Sequence, residues 1–239
     1  MSSRLRAILA VGVLAVLLGG VGIYSLVSDE LTATVLSTDP ASEYQSPPLE
    51  APGGGVYAFM ATQPETDDVP VTYDPCETIQ VVVNEERVPS NGDDLLADAL
   101  EEMEELTGLS FELVGTTRDE PLSDDIERGD GWRPVQVSWS DEGGVPELAG
   151  SVAGLGGSTW VEQDGVRHFV TGDVVLDAGD LDELDDDYTR TVLLHELGHL
   201  VGLAHVDSTD ELMHPFAAGE QWGPGDLVGL QALGQGPCR

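Results

Sequence analysis

One stretch near the C-terminus constrains this chain more than any other, HELGHLVGLAH at residues 195–205. In a helix of 3.6 residues per turn, His195 and His199 stand one turn apart on the same face. Gly202 permits the positive φ, or the close approach of its backbone to a neighbour, at which such a helix ends. After that turn, His205 can return toward His195 and His199. Three neutral imidazoles are natural Zn²⁺ ligands, and they leave one tetrahedral position open, as in catalytic zinc sites.

Glu196 follows the first of these histidines directly. A carboxylate here can reach water at the open position without binding the metal itself, which is the general-base position of zinc hydrolases. HExxH alone also arises by chance in ordinary helices, where the histidines merely lie on a polar face. Gly202 and His205 at the required offsets argue against chance.

A second motif, Leu-Met-His-Pro, follows at 212–215. Together, HELGHLVGLAH and LMHP resemble the metzincin clan of zinc endopeptidases, and within it the matrixin-like branch. The resemblance implies that Met213 forms the turn beneath the three imidazoles and that one Zn²⁺ serves peptide hydrolysis. It also implies an α+β domain with a twisted mixed sheet, an active-site helix and a C-terminal helix.

Periodicity upstream and downstream predicts the elements of such a domain. Strands are predicted at 78–84, 111–115 and 135–139, and a helix at 93–107 that ends at Gly108. The active-site helix is expected to begin within 185–189 and to run to about Gly202. Asp226 is the predicted N-cap of a closing helix through Leu233.

The residues between 148 and 157 are mostly Gly, Ala and other small or apolar types. By the resemblance, an edge strand that lines the cleft above the zinc consists of Ser151, Val152, Ala153, Gly154 and Leu155. A substrate backbone can add to such an edge as a further strand. The alternative is a flexible glycine loop.

The first 28 residues carry Arg4 and Arg6 and then no charge from 7 to 28. This pattern predicts either a cleaved signal peptide or a membrane anchor, so the protein is expected outside the cell, secreted or anchored by residues 7–28. Residues 29–56 are rich in acids, Pro, Gly and Ser and are expected to form a flexible spacer. The catalytic domain is predicted at 57–239, and the membrane is expected to contact only the N-terminal segment.

The charge balance excludes a class of partner. Nine Arg and no Lys oppose 45 acids, a net charge of −36. Nucleic-acid binding depends on cationic groups, so it is not expected. Such an excess favours a soluble monomer and suits a high-salt environment, where the repulsion is screened.

Cys76 and Cys238 are the chain's two cysteines. In an exported chain an isolated pair is most simply a disulfide, here closing a long loop. The alternative, by the resemblance to matrixin propeptides, is that the Cys76 thiolate binds the zinc and keeps the enzyme latent.

The acidic run 177–187 offers oxygen ligands suited to Ca²⁺, although its spacing is not that of an EF-hand. A solvated loop is the alternative. His168 is the only histidine between 150 and 180, so a second, structural zinc is not expected.

These observations predict an exported zinc endopeptidase that acts on protein or peptide substrates. A catalytically silent, zinc-containing cell-surface binding module is the alternative, and Glu196 argues against it because zinc binding alone needs no base. A zinc hydrolase of non-peptide bonds would use the same ligands.

Overall fold

The computed structural model of the chain describes residues 7–13, 44–129, 131–181, 186–216 and 221–239, with the backbone alone at 7–13, 180 and 181. Its strands are β1 (Ala7–Val13), β2 (Leu49–Glu50), β3 (Val56–Tyr57), β4 (Thr78–Asn84), β5 (Ser110–Thr117), β6 (Glu127–Arg128), β7 (Gly131–Trp132), β8 (Val135–Ser140), β9 (Gly154–Gln163) and β10 (Val166–Asp177). Its helices are α1 (Gly92–Thr107), the short α2 (Ala178–Leu181), α3 (Asp186–Val201) and α4 (Pro224–Leu233), with a 3₁₀ turn at Pro146–Leu148.

Six strands form the main sheet, in the order β1-β9-β10-β8-β4-β5. β10, β8, β4 and β5 run parallel to one another, whereas β9 is antiparallel to β10 and to β1. Two short hairpins, β2–β3 and β6–β7, lie outside this sheet. The α+β architecture with a mixed sheet that the sequence predicts is therefore confirmed.

The main core lies between the sheet and helices α1, α3 and α4. Alternation along β10 assigns its side chains to two faces, because successive strand residues point in opposite directions. Val174 and Leu176 belong to the main core, and Val175 joins a smaller cluster with Val145, Leu148, Val152 and Leu155. The sheet is thus covered on both faces near the end of β10, just before α2 and α3.

Helix α1 agrees with the expected span. Asp93 and Asp94 occupy its first turn, where negative charges interact favourably with the helix dipole. Gly108 takes the left-handed conformation (φ 77°), and its N–H donates to the Glu104 carbonyl, which ends the helix.

Residues 44–56 of the segment expected to be a spacer are folded onto the domain. Ser46 is buried and exchanges two hydrogen bonds with Phe59, from its own N–H to the Phe59 carbonyl (2.9 Å) and from the Phe59 N–H to its hydroxyl (2.8 Å). The Tyr44 ring meets Trp160 edge to face at 5.6 Å. Leu49 and Val56 also pack against the main core, so hydrogen bonds and apolar contacts together hold this segment. Its polar composition did not indicate these contacts.

The N-terminal segment is described only at β1, which pairs with β9 through Ala7–Val13. The rest of the predicted signal or anchor, 14–28, lies outside the described residues, as does 29–43 of the expected spacer. Among the helices that the structure describes, none combines the length and apolarity needed to span a bilayer.

The predicted Cys76–Cys238 disulfide is confirmed, with the two Cα atoms 5.4 Å apart and a sequence separation of 162. It fastens the C-terminus beside the start of β4. Cys76 therefore carries no thiolate, so the latency alternative is wrong for this form of the chain.

Candidate active site

Helix α3 supplies two of the three histidines. His195 and His199 lie on its buried side, and the helix ends at Val201. Gly202 has φ +123°, a conformation that side chains rarely adopt, and a Cβ there would come within 3.0 Å of Leu233 and Phe169 atoms. The chain turns at this glycine, and His205 reaches the same place three residues later.

The three Nε2 atoms converge. That of His205 lies 3.1 Å from His195 Nε2 and 3.0 Å from His199 Nε2. Zinc–nitrogen bonds of about 2.0–2.1 Å at tetrahedral angles require nitrogens about 3.3 Å apart. The observed separations are close to that requirement, so the donor set fits a zinc ion.

Two backbone carbonyls determine which nitrogens face inward. His195 Nδ1 donates to the Leu212 carbonyl and His199 Nδ1 to the Leu203 carbonyl, both at 2.8 Å. A neutral imidazole that donates from Nδ1 presents a bare lone pair at Nε2. His195 and His199 therefore both direct a lone pair toward His205 Nε2, an arrangement that a shared cation would suit. The tautomers therefore also support a metal site.

Burial keeps these imidazoles neutral. It lowers the pKa of His195 to about 4 and that of His205 to about 3, and it holds the pKa of His199 well below the ordinary value, with neighbouring histidines adding to the effect. Neutral imidazole is the form that binds metal. The site is thus ready for a cation at neutral pH.

Glu196 is fully buried next to the histidines, and neither carboxylate oxygen has a hydrogen-bond partner among the described residues. Burial raises its pKa well above the ordinary value. A buried carboxyl without a partner is costly. Glu196 directly follows His195 in sequence, so a cation held by the three histidines would offset part of that cost.

Strand β9 approaches Glu196 closely because it begins with glycines. A Cβ on Gly154 would lie 2.8 Å from Glu196 Cγ, and one on Gly156 would lie 2.2 Å from the Glu196 carbonyl oxygen. Leu155, between them, points to the opposite face and packs in the smaller cluster. Only side chains as small as hydrogen allow this contact between sheet and helix.

The predicted edge strand is therefore shifted. Gly154 and Leu155 lie in β9, whereas Ser151, Val152 and Ala153 precede it, and the strand continues to Gln163. Pairing with β10, which aligns Gly154 with Leu176, determines where β9 begins. A glycine-rich run carries no such information in its own sequence.

Met213, which the resemblance places beneath the histidines, packs against the active-site helix. It is buried, and a Cβ on Gly198 of the active-site helix would come within 2.7 Å of its sulfur. The Met213 carbonyl accepts from Val206 N–H at 3.2 Å, which ties this turn to the loop that carries His205.

Two carboxylates near this turn are buried, Glu211, which the sequence reasoning missed, and Asp226, which it assigned to the wrong helix position. Asp226 is the third residue of α4 rather than its N-cap, which is Gly223. The one sequence signal for Glu211 is that an acid directly precedes the apolar pair Leu212-Met213. Its hydrogen-bond partners lie far away in sequence. Of the expected Ca²⁺ run, 182–185 falls outside the described residues.

The fold and the site together define a zincin-type metallopeptidase domain. Residues 78–232, more than half of the chain, match the peptidase M10 family model described as matrixin. The chain belongs to the matrixin family, a family of zinc metallopeptidases.

One curated relative, named "Putative matrix metalloproteinase", comes from Trichoplusia ni ascovirus 2c. It is 28% identical over 90 residues, which cover 33% of this chain and 18% of the relative. The chain thus spans under a fifth of the length of that protein.

Proposed function

We propose that this chain is an exported zinc endopeptidase in which Glu196 is the general base. The observation that carries the proposal is the Glu196 carboxyl, which is fully buried and has no hydrogen-bond partner among the described residues. It directly follows His195 in sequence, one of the three histidines whose Nε2 atoms converge. A module that only bound zinc would gain nothing from this costly group.

His195, His199 and His205 would hold the zinc. Zinc in such a site acts as a Lewis acid, which makes water more acidic and polarises a carbonyl group. A cation there also favours ionised Glu196, whose pKa burial alone raises. Glu196 then takes the proton of the attacking water and delivers it to the leaving amine.

The side of β9 that faces away from β10 supports an extended peptide as the substrate. In the structure, residues 7–13 of the chain itself pair antiparallel with residues 155–161 along that side. The edge therefore accepts a backbone of this direction, and we expect a substrate to bind there in place of β1. Main-chain hydrogen bonds would supply the affinity.

Export is supported by two separate features. Residues 7–28 carry no charge and follow two arginines. The Cys76–Cys238 disulfide belongs to an oxidising compartment, since cytosolic thiols are kept reduced.

The test compares the full chain with Glu196→Gln, which preserves the shape of the side chain and all three imidazoles. Zinc content should stay at one ion per chain, because no ligand changes. Cleavage of a quenched peptide library should fall by about 10²–10⁴-fold, the usual contribution of a placed general base. Glu105→Gln, an exposed position of α1, is the matched control and should cleave normally.

Equal cleavage by wild type and Glu196→Gln would show that Glu196 is not the base. A zinc-loaded wild type that cleaves nothing in the library would favour the cell-surface binding module.

A further inference from the structure

The carbonyls of Leu203 and Leu212 orient two zinc ligands, so whatever holds those carbonyls helps to build the metal site. The Leu203 peptide is held by residues 58–60. Met60 N–H donates to the Gly202 carbonyl and Ala204 N–H to the Ala58 carbonyl, both at 2.8 Å, with Phe59 bridged antiparallel to Leu203. One side of the site therefore depends on an early segment of the chain.

The Leu212 peptide is held from the other direction, by α4. Its N–H donates to the Asp226 carboxylate, and the same oxygen accepts from Gly223 N–H at 3.0 Å. The backbone of Leu212 thus links Asp226, through its N–H, to His195, through its carbonyl.

Glu211 joins these two supports. It is 0% exposed, and its Oε1 accepts from Val56 N–H at 3.1 Å, across 155 residues of sequence. Its Oε2 accepts from Gly225 N–H at 2.9 Å and Asp226 N–H at 3.0 Å, at the start of α4. One carboxylate therefore binds the strand before residues 58–60 and the helix that holds the Leu212 peptide.

Glycines clear the space around this carboxylate. A Cβ on Gly55 would lie 2.5 Å from Glu211 Oε1, and one on Gly223 would lie 2.3 Å from Oε2. A Cβ on Gly225 would lie 2.1 Å from the Val56 carbonyl oxygen. These approaches are closer than any side chain tolerates, so three glycines from two segments form a fitted cradle for the Glu211 carboxylate.

We propose that Glu211 is a positioning residue for the zinc site, which fastens residues 56–60 to the Met213 turn and to α4, so that the carbonyls orienting His195 and His199 move as one unit. The inference rests on the proposed function only in taking zinc as the metal. Groups that orient metal ligands typically change metal affinity by about 10–100-fold when they are altered.

The first experiment is Glu211→Gln in the full chain. An amide has one acceptor oxygen and one donor nitrogen. With the oxygen on α4, the NH₂ faces Val56 N–H, donor against donor; with the oxygen on Val56, both bonds to α4 are lost. The zinc dissociation constant, measured by competition with a chromophoric chelator, should rise at least about tenfold.

Glu104→Gln is the matched control. Glu104 Oε1 accepts from Phe111 N–H at 2.7 Å, which is likewise a bond between a carboxylate and the backbone of another element. This bond is not one of those that hold the Leu203 or Leu212 peptide groups. Its zinc affinity should equal that of wild type. Equal affinities in wild type, Glu211→Gln and Glu104→Gln would overturn the positioning role.

The second experiment needs no variant and therefore stands if Glu211→Gln fails to fold. Coupling between two sites is reciprocal, so zinc must strengthen the bond that supports its own ligands. Hydrogen exchange at the Val56 amide should slow at least about tenfold when zinc is added, whereas the Phe111 amide should change far less. Equal responses of the two amides would contradict the coupling.

Neither measurement involves peptide cleavage. A wild type that binds zinc but cleaves nothing would overturn the proposed function and leave these comparisons intact. A wild type that binds no zinc would overturn both.

Discussion

Asp226 should make the folded protein less stable as pH rises through the mildly acidic range. Burial raises its pKa to about 6, from an ordinary value of 3.8, with nearby Glu211 adding to the rise. The N–H groups of Gly223 and Leu212 lower it but do not compensate. Burial therefore outweighs hydrogen bonding at this site.

The sign follows from which state holds the proton. Below pH 3.8 the carboxyl is protonated in both the folded and the unfolded chain, and its contribution to stability is complete. Between pH 3.8 and about 6 the unfolded chain has lost the proton while the folded chain keeps it, so stability falls as pH rises. A pKa difference of about two units corresponds to about 3 kcal/mol in total, of which about 2 kcal/mol is lost between pH 4 and pH 6.

Asp226→Asn removes this titration while its amide oxygen can still accept from Gly223 and Leu212. Urea unfolding of the metal-free chain at pH 4, 5, 6 and 7 gives the free energy of unfolding of both proteins. Wild type should lose about 2 kcal/mol relative to the variant between pH 4 and pH 6. Asp98→Asn, an exposed position of α1, controls for removing one charge from so acidic a chain.

A difference between wild type and Asp226→Asn that stays constant from pH 4 to pH 7 would refute the reasoning. A difference of opposite sign would mean that the N–H donors stabilise the ionised carboxylate more than burial destabilises it.

Two further predictions concern the metal and the disulfide. His205→Ala should reduce zinc from one ion per chain to well below that, because two imidazoles on one helix rarely hold a catalytic zinc; full occupancy by elemental analysis would contradict the three-histidine site. In the double variant Cys76→Ser and Cys238→Ser, the free energy of unfolding should fall by up to about 5 kcal/mol in the chain-entropy model, because the separation of 162 makes a long loop. An unchanged urea midpoint would argue against that contribution.

The zinc ligands could be predicted from sequence because their geometry is local. His195 and His199 are fixed by the pitch of one helix, and Gly202 allows the turn that returns His205 within three residues. Such an arrangement requires no knowledge of the remaining fold. Helix α1 was predictable for the same reason, from its periodicity and from the glycine at its end.

Features that depend on distant partners could not be predicted. The start of β9 is determined by its pairing with β10, and the predicted strand began three residues too early, at Ser151. The role of Glu211 depends on Val56, which lies 155 residues away, and polar composition concealed that segment among residues expected to be a spacer. The residue type of a segment gives little indication of the hydrogen bonds that its backbone groups make.

The Cys76–Cys238 bond closes residues 76–238 into one covalent ring, which includes β4, α4 and every element between them. The peptidase activity proposed for this chain would act on the protein itself, and exposed residues such as 118–120 are accessible to cutting. One cut within the ring leaves two polypeptides that remain joined, so the nicked molecule keeps its parts together and can close again around the same core. Its damage would stay hidden on a non-reducing gel and would separate into two bands only after reduction.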